Sequence, residues 1–232
     1  MPRFFLRNRN AELVERMDDP DCDLDRLERT YDWFSVLNPW LARWNAIYRT
    51  HVRPSLHVDR PTRVLDVGCG GGDLLRFLGS KAEKDGFSVS LLGIDPDERA
   101  IEYARKQNSD VAIEYRTVHS SALVEEGRKF DLIVSNHVLH HLDPGQFKTL
   151  IQDSERLSDG MVLHNDICRD DLAWFSFWPV GGLCRKSFIL EDGLRSIRRA
   201  WHPDELTALV PSSWEIRRKA PFRTLLIHRT GS

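Results

Sequence analysis

The 232-residue chain has no cysteine pairing motif. Cys22, Cys69, Cys168 and Cys184 stand apart, no C-x-x-C occurs, and no histidine falls at zinc-finger spacing around them. That sets aside a disulfide scaffold and a structural zinc site, and free thiols in a reducing compartment are expected. No apolar run reaches bilayer-crossing length. Met1 to Asn10 is arginine-rich but lacks both a long apolar stretch and a small-residue cleavage site, so no secretory signal is expected. Low-complexity tracts are missing too. So is a global charge: 33 Lys/Arg against 35 Asp/Glu leave −2, which gives no field for nucleic acid or an acidic membrane. A cytoplasmic globular protein is expected.

What is present suits one α/β domain, with 41% apolar residues supplying a core. Residues 1–25 are charged and read as a mobile arm or a loosely packed helix. Leu24, Leu27, Tyr31, Phe34, Leu37, Leu41, Trp44, Ile47 and Tyr48 recur at helical spacing, which predicts two helices broken near Asn38-Pro39. Residues 1–58 therefore form a helical arm and cap, and 59–232 the main domain. From Arg63 onward, predicted strands (63–68, 88–95, 113–119, 130–136, 160–166) alternate with predicted helices (73–84, 97–107, 120–127, 144–157). This rhythm implies parallel strands with right-handed crossovers and helices on both faces. It stops at an apolar, tryptophan-rich insertion at about 167–200. Two closing strands follow, near 213–219 and 222–229. From Gly181 onward ten Lys/Arg face five Asp/Glu, which reads as a solvated basic face.

The densest signal is Val64-Leu65-Asp66-Val67-Gly68-Cys69-Gly70-Gly71-Gly72-Asp73. A buried strand ends in an acid and a glycine turn, then opens a helix, so backbone N–H groups can approach a ligand closely. In open α/β sheets ligands sit at the carboxyl ends of the strands. A dinucleotide site would place a third glycine where Asp73 stands. The second strand ends in Asp95-Pro96. Asp95 offers two acceptor oxygens suited to both hydroxyls of a ribose; its alternative role is an N-cap, which Asp97 can also fill.

Taken together, this string, Leu92-Gly93-Ile94-Asp95, and Phe130-Asp131-Leu132-Ile133-Val134-Ser135-Asn136 with Val138-Leu139-His140-His141-Leu142 resemble class I S-adenosylmethionine-dependent methyltransferases. The resemblance covers about residues 60–165, and the N-terminal helices loosely resemble ubiquinone/menaquinone-type members. It implies a Rossmann-like, doubly wound, seven-stranded sheet, mostly parallel with an antiparallel closing strand, and S-adenosylmethionine as cofactor. It also implies cofactor contacts from Asp66, Gly68, Cys69, Gly70, Asp95, Pro96, Ser120, Ser121 and Asn136, with Leu123 beside the adenine. Where the family often has an acid after the third strand, this chain has His119-Ser120-Ser121; a serine can accept the adenine bond but carries no charge.

Methyl transfer needs alignment, proximity and dryness, with a base only for a protonated nucleophile. His137 and His140 are the leading base candidates, followed by His141 and His164; Asp166 shares a strand face with His164 and would raise its basicity. Each also reads as a packed structural histidine. No metal ligand set is expected. The aromatic stretch Leu172 to Val180 and the aromatic N-terminal helices either pack together or roof an apolar pocket. The second reading favours a hydrophobic small-molecule acceptor with a phenolic hydroxyl, such as a polyketide, phenolic lipid or quinone precursor. Ring C-methylation, RNA methylation through Arg195, Arg198, Arg199, Arg217, Arg218 and Lys219, and a non-catalytic cofactor-binding regulator are the alternatives. Oligomeric state is left open.

Overall fold

The computed structural model describes residues 5–231; Met1 to Phe4 of the arginine-rich N-terminus and Ser232 lie outside the described residues. Seven strands form one sheet in the order β3-β2-β1-β4-β5-β7-β6. They are β1 Thr62–Val67, β2 Val89–Ile94, β3 Ile113–Arg116, β4 Phe130–Asn136, β5 Ser158–Ile167, β6 Trp214–Lys219 and β7 Arg223–Arg229. The first five pair in parallel, and β7 enters antiparallel between β5 and β6. Order reverses at β1, so the switch point lies where β1 and β4 end, beside the glycine turn. Because β7 runs the other way, its first residue, Arg223, reaches the carboxyl ends of the parallel strands, opposite Ile167 of β5.

The crossovers are α3 Asp73–Lys84, α4 Glu98–Lys106, α5 Ser120–Glu125 and α6 Pro144–Leu157. α6 opens on a full capping box, Asp143 with Gln146, and Asp97 caps α4 by accepting from the Arg99 N–H. β3 stops at Arg116, short of the predicted 119, and Val118 and His119 continue as a loop lining the cleft.

Ahead of the sheet, α1 (Leu24–Leu41) is followed by a short α2 (Trp44–Ile47). The predicted break at Asn38-Pro39 is corrected: Pro39 lies inside α1, and the Ala42 N–H still bonds the Asn38 carbonyl. The missing proline N–H costs one bond near the helix end, and the chain turns instead at Arg43, whose φ is 63°. Trp44, Ile47, Tyr48 and Val52 share one hydrophobic core with Val64, Leu75 and Leu132. The cap is thus continuous with the core of the main domain.

The insertion is helical: α7 Asp171–Leu183 and α8 Ile189–Arg199, with a short α9 (Pro203–Thr207) before β6. The arm is corrected as well, since residues 5–23 are neither helix nor loose. Arg9 donates to the carbonyls of His140, Leu142 and Arg199, Asn10 to that of Arg198, and the fully buried Arg169 donates to the Leu6 and Arg7 carbonyls. Backbone carbonyls of an irregular segment need donors when buried, and these arginines supply them.

Candidate active site

A cleft of about 1210 Å3 opens at the carboxyl ends of β1, β2 and β4. Its floor is the glycine turn. Gly68, Gly70 and Gly72 have φ of 69°, 50° and 75°, and a Cβ on Gly68 would stand 2.5 Å from Val138 Cγ2. Left-handed backbone and the absence of a side chain leave this cradle open. Cys69 is buried between these glycines, and burial raises its thiol pKa well above normal.

Three aspartates ring the turn. Asp66 is 1% exposed, and neither carboxylate oxygen has a hydrogen-bond partner among the described residues. Burial, then Asp73 and Asp95, push its pKa well above the usual carboxylate range. Asp73, at the first turn of α3, accepts from Asn38 Nδ2 at 2.9 Å, and burial raises its pKa too. Asp95 does not cap α4; Asp97 does. Instead its two oxygens accept from the N–H groups of Gly70 and Asp97, each at 2.9 Å, leaving one lone pair apiece facing the cleft that it lines. An orphaned buried acid with two like-charged neighbours fits a cationic ligand and repels a pyrophosphate.

Pro96, Ser120, Ser121 and Asn136 also line the cleft, whereas Leu123 is fully buried in the core and does not. Ser120 donates its hydroxyl to Asp153 Oδ2 at 2.7 Å. Asp153, on α6, is 5% exposed and lines the same lobe. A carboxyl group, absent directly after β3, is thus supplied to this part of the cleft by α6.

The four histidines separate sharply. His137, at φ 62°, is a half-buried residue of the cleft wall; its ring stacks on Phe34, with centroids 6.3 Å apart, and its Nε2 accepts from Arg223 Nη1 at 3.4 Å. Burial, then Arg223, hold its pKa well below normal, so it is neutral with the proton on Nδ1. His140 is 1% exposed. Its Nδ1 bonds Asp166 Oδ1 at 2.8 Å. Its Nε2 lies 3.2 Å from Glu15 Oε1, an ion-pair contact. Burial opposes the charge, but Asp166 and then Glu15 lift the pKa to about 9. His141 contacts Asp18 at 3.1 Å and is partly exposed. His164 and Asp166 share a face, as alternation predicts, but Asp166 spends both oxygens on His140, its backbone N–H included. His164 sits between the Ser135 and Ser154 hydroxyls, outside the cleft lining, and burial lowers its pKa to about 3. Asp166 does raise its basicity, as expected, but burial outweighs that gain.

Residues 64–158 match the family described as Methyltransferase domain. Over that stretch the chain is similar to methyltransferase domains. Among curated relatives it is 34% identical to the ubiquinone biosynthesis O-methyltransferase of Bartonella quintana over 48% of this chain and 44% of that protein. It is 29% identical to the Dinoroseobacter shibae protein of the same name, over 64% and 57%. The chain thus spans about half the length of these relatives. Among solved structures, the plantazolicin methyltransferase BpumL in complex with SAH superposes with a TM-score of 0.64 at 13% identity, covering 91% of each chain. An O-methyltransferase family protein from Burkholderia thailandensis gives 0.64 at 15%, covering 94% of this chain and 63% of that one. These likenesses show the fold, a Rossmann-like methyltransferase sheet with its antiparallel pair.

The protein roofs its cleft with both flanking elements. Tyr31, Phe34 and Leu37 of α1 and Ala173, Phe177 and Val180 of α7 line it. Other expected aromatics do not: Trp40 and Phe175 are exposed, and Trp44 lies in the core. Three side chains that line the cleft lay outside the sequence reading: Asp153, Arg223 and Glu15. The basic C-terminal stretch is only partly a solvated face, since Arg199 and Arg223 are buried. Arg199 donates to the His140 and His141 carbonyls and Arg195 to that of Val14, so both help hold the arm and the histidine loop. Two groups of side chains, Glu15/His140/His141 and His137/His140/Asp166, have ligand atoms close enough for a cation. Both need His140, whose raised pKa favours a proton there.

Glu15 and His140 link arm docking to pH. His140 binds its proton more tightly in the folded state, so its contribution is full below about pH 6.5 and is lost as pH rises through about 9. Glu15 behaves oppositely: burial opposes its charge, but His141 and His140 hold its pKa at about 2, so its contribution fades as pH falls toward that value. Melting temperature is expected to decline from about pH 6.5 toward 9, and His140→Gln to flatten that decline. An unchanged slope in the variant would show that His140 carries no such linkage.

Proposed function

We propose that the protein transfers a methyl group from S-adenosylmethionine to a hydrophobic small molecule, with a phenolic hydroxyl as acceptor. One observation carries the donor: Asp66, buried and unpartnered, with Asp73 and Asp95 around a side-chain-free turn. A sulfonium ligand with an ammonium group suits that acid ring, and a nicotinamide dinucleotide does not. Asp66, Gly68, Cys69 and Gly70 would hold the amino-acid portion, Asp95 the ribose hydroxyls, and Pro96, Ser120 and Ser121 the adenine side. Asn136, bonded to Arg223 and Asn165, would fix the wall near the methyl.

The bound donor supplies an activated methyl on positive sulfur. This chain's residues do the rest: they orient the acceptor under Phe34 and Phe177, align it with the cleft floor and exclude water. His140, protonated and clamped by two carboxylates, supports the arm; it is poorly placed to accept a proton. Similarity to ubiquinone biosynthesis O-methyltransferases favours oxygen as the acceptor atom. The four free thiols accord with a cytoplasmic setting.

Product mass spectrometry with phenolic and quinone-precursor panels tests this reading. A gain of one methylene mapped to oxygen is expected; a gain on ring carbon would reassign the acceptor atom. A narrower test concerns adenine. Asp153→Asn should weaken S-adenosylhomocysteine binding about tenfold by calorimetry. Unchanged affinity would remove Asp153 from the adenine site.

A further inference from the structure

The cofactor contacts leave one buried charge unexplained. Arg223 is 4% exposed, yet lines the cleft beside Phe222, Phe34 and His137. Four of its five N–H donors are taken by neutral groups: Nε bonds Asn165 Oδ1 at 3.0 Å, Nη2 bonds Asn136 Oδ1 at 3.0 Å and the Asn165 carbonyl at 3.3 Å, and Nη1 reaches His137 Nε2. The fifth, on Nη1, has no acceptor among the described residues. No carboxylate among them lies within ion-pair distance of it. The acid that attracts it, Asp166, is already bonded to the His140 ring and backbone. Burial pulls the guanidinium pKa down to about 10. A buried cation held by neutral groups, with a spare donor on a side chain that lines the cleft, wants an anion that arrives with the ligand.

Resting on the methyl-transfer reading above, we infer that Arg223 is the oxyanion holder of the acceptor site. The acceptor binds with its reacting oxygen ionised, as a phenolate or carboxylate, against the Arg223 guanidinium, and no side-chain base is needed. The proton leaves the acceptor to solvent on binding. An oxygen lone pair then forms the new O–CH3 bond while the S–CH3 bond breaks, its electron pair staying on sulfur. Neutral His137 fits this scheme: by accepting from Arg223 it steers the guanidinium and keeps a second positive charge off the wall. The acid that acts on Arg223, Asp166, is already balanced by His140, which Glu15 contacts on its other side.

The test is titration of 4-nitrophenol, followed by phenolate absorbance, with full-length protein and saturating S-adenosylhomocysteine. Bound 4-nitrophenol is expected to ionise at lower pH than the free compound. It should bind at least tenfold more tightly than neutral 4-nitroanisole. Arg223→Gln should abolish the shift and weaken phenolate binding about ten- to a hundredfold, while Arg223→Lys keeps most of the shift. Benzoate competition separates the sources: displacement at equal concentration marks a carboxylate acceptor, and weak displacement a phenol. The inference is overturned if wild-type protein shows no saturable phenolate binding, an unshifted or raised midpoint, or equal affinity for 4-nitroanisole. Retention of the shift in Arg223→Gln overturns it too. Should that variant not fold, the wild-type midpoint and the 4-nitroanisole comparison still decide. Failure of the cofactor reading would show separately, as absent S-adenosylhomocysteine binding in calorimetry.

Discussion

Asp95→Ala is expected to weaken S-adenosylhomocysteine binding by roughly a hundredfold or more, the loss of two charge-assisted hydrogen bonds. Asp95 acts twice. One oxygen holds the Gly70 N–H and the other the Asp97 N–H, so the carboxylate ties the end of β2 to the glycine turn. The remaining lone pairs face the cleft and suit the paired hydroxyls of a ribose. Asp95→Asn keeps one oxygen for the turn and replaces the other with a donor, so it should fall between wild type and alanine. Calorimetry reads the affinity, and circular dichroism checks that the sheet is retained. Wild-type affinity in Asp95→Ala would remove the ribose from this corner.

The second large effect concerns the arm. Glu15→Gln should destabilise the protein by about 3–5 kcal/mol, the usual cost of removing one member of a buried ion pair. Glu15 is 3% exposed, lies 3.2 Å from His140 and 3.8 Å from His141, and accepts from Ser196 Oγ at 2.8 Å. Glutamine preserves the shape and the serine bond but leaves a protonated His140 with Asp166 alone. A melting temperature lower by roughly 10 °C is expected for a domain of this size, with faster tryptic cleavage at Arg7, Arg9 and Arg16 if the arm detaches first. An unchanged melting temperature and cleavage rate would show that the Glu15–His140 contact is incidental. Arm and cleft are coupled, since Glu15, Met17 and Asp18 line the same cavity as Asp95.

How much of this was legible depended on sequence distance. The parallel strands are continuous β-branched and aliphatic runs, such as Leu132-Ile133-Val134, because both faces are covered, and they announce themselves. The glycine turn and Asp95 were legible because backbone geometry demands particular residues at short spacing. Arg223 was not, because its place follows from β7 entering antiparallel beside β5, a long-range event. The one hint was a charged residue heading the run Thr224-Leu225-Leu226-Ile227, which an inner strand tolerates only with partners. Asp153 reads in sequence as an ordinary polar position on α6, and only the tertiary contact with Ser120 marks it. Glu15 carried no signal at all: its partners are more than a hundred residues away, and the surrounding arm is charged throughout. For the same reason the histidine loop misled. The spacing of His137, His140 and His141 places them together, but only the tertiary carboxylates decide which ring is neutral and which carries the proton.

The most direct measurement is transfer of labelled methyl from S-adenosylmethionine, with products separated into organic-extractable, nucleic-acid and protein fractions after incubation with phenolic acceptors. Label is expected in the organic fraction, dependent on acceptor and lost in Asp95→Ala. Label confined to RNA or protein, or S-adenosylhomocysteine binding without transfer to any acceptor, would contradict a small-molecule methyltransferase.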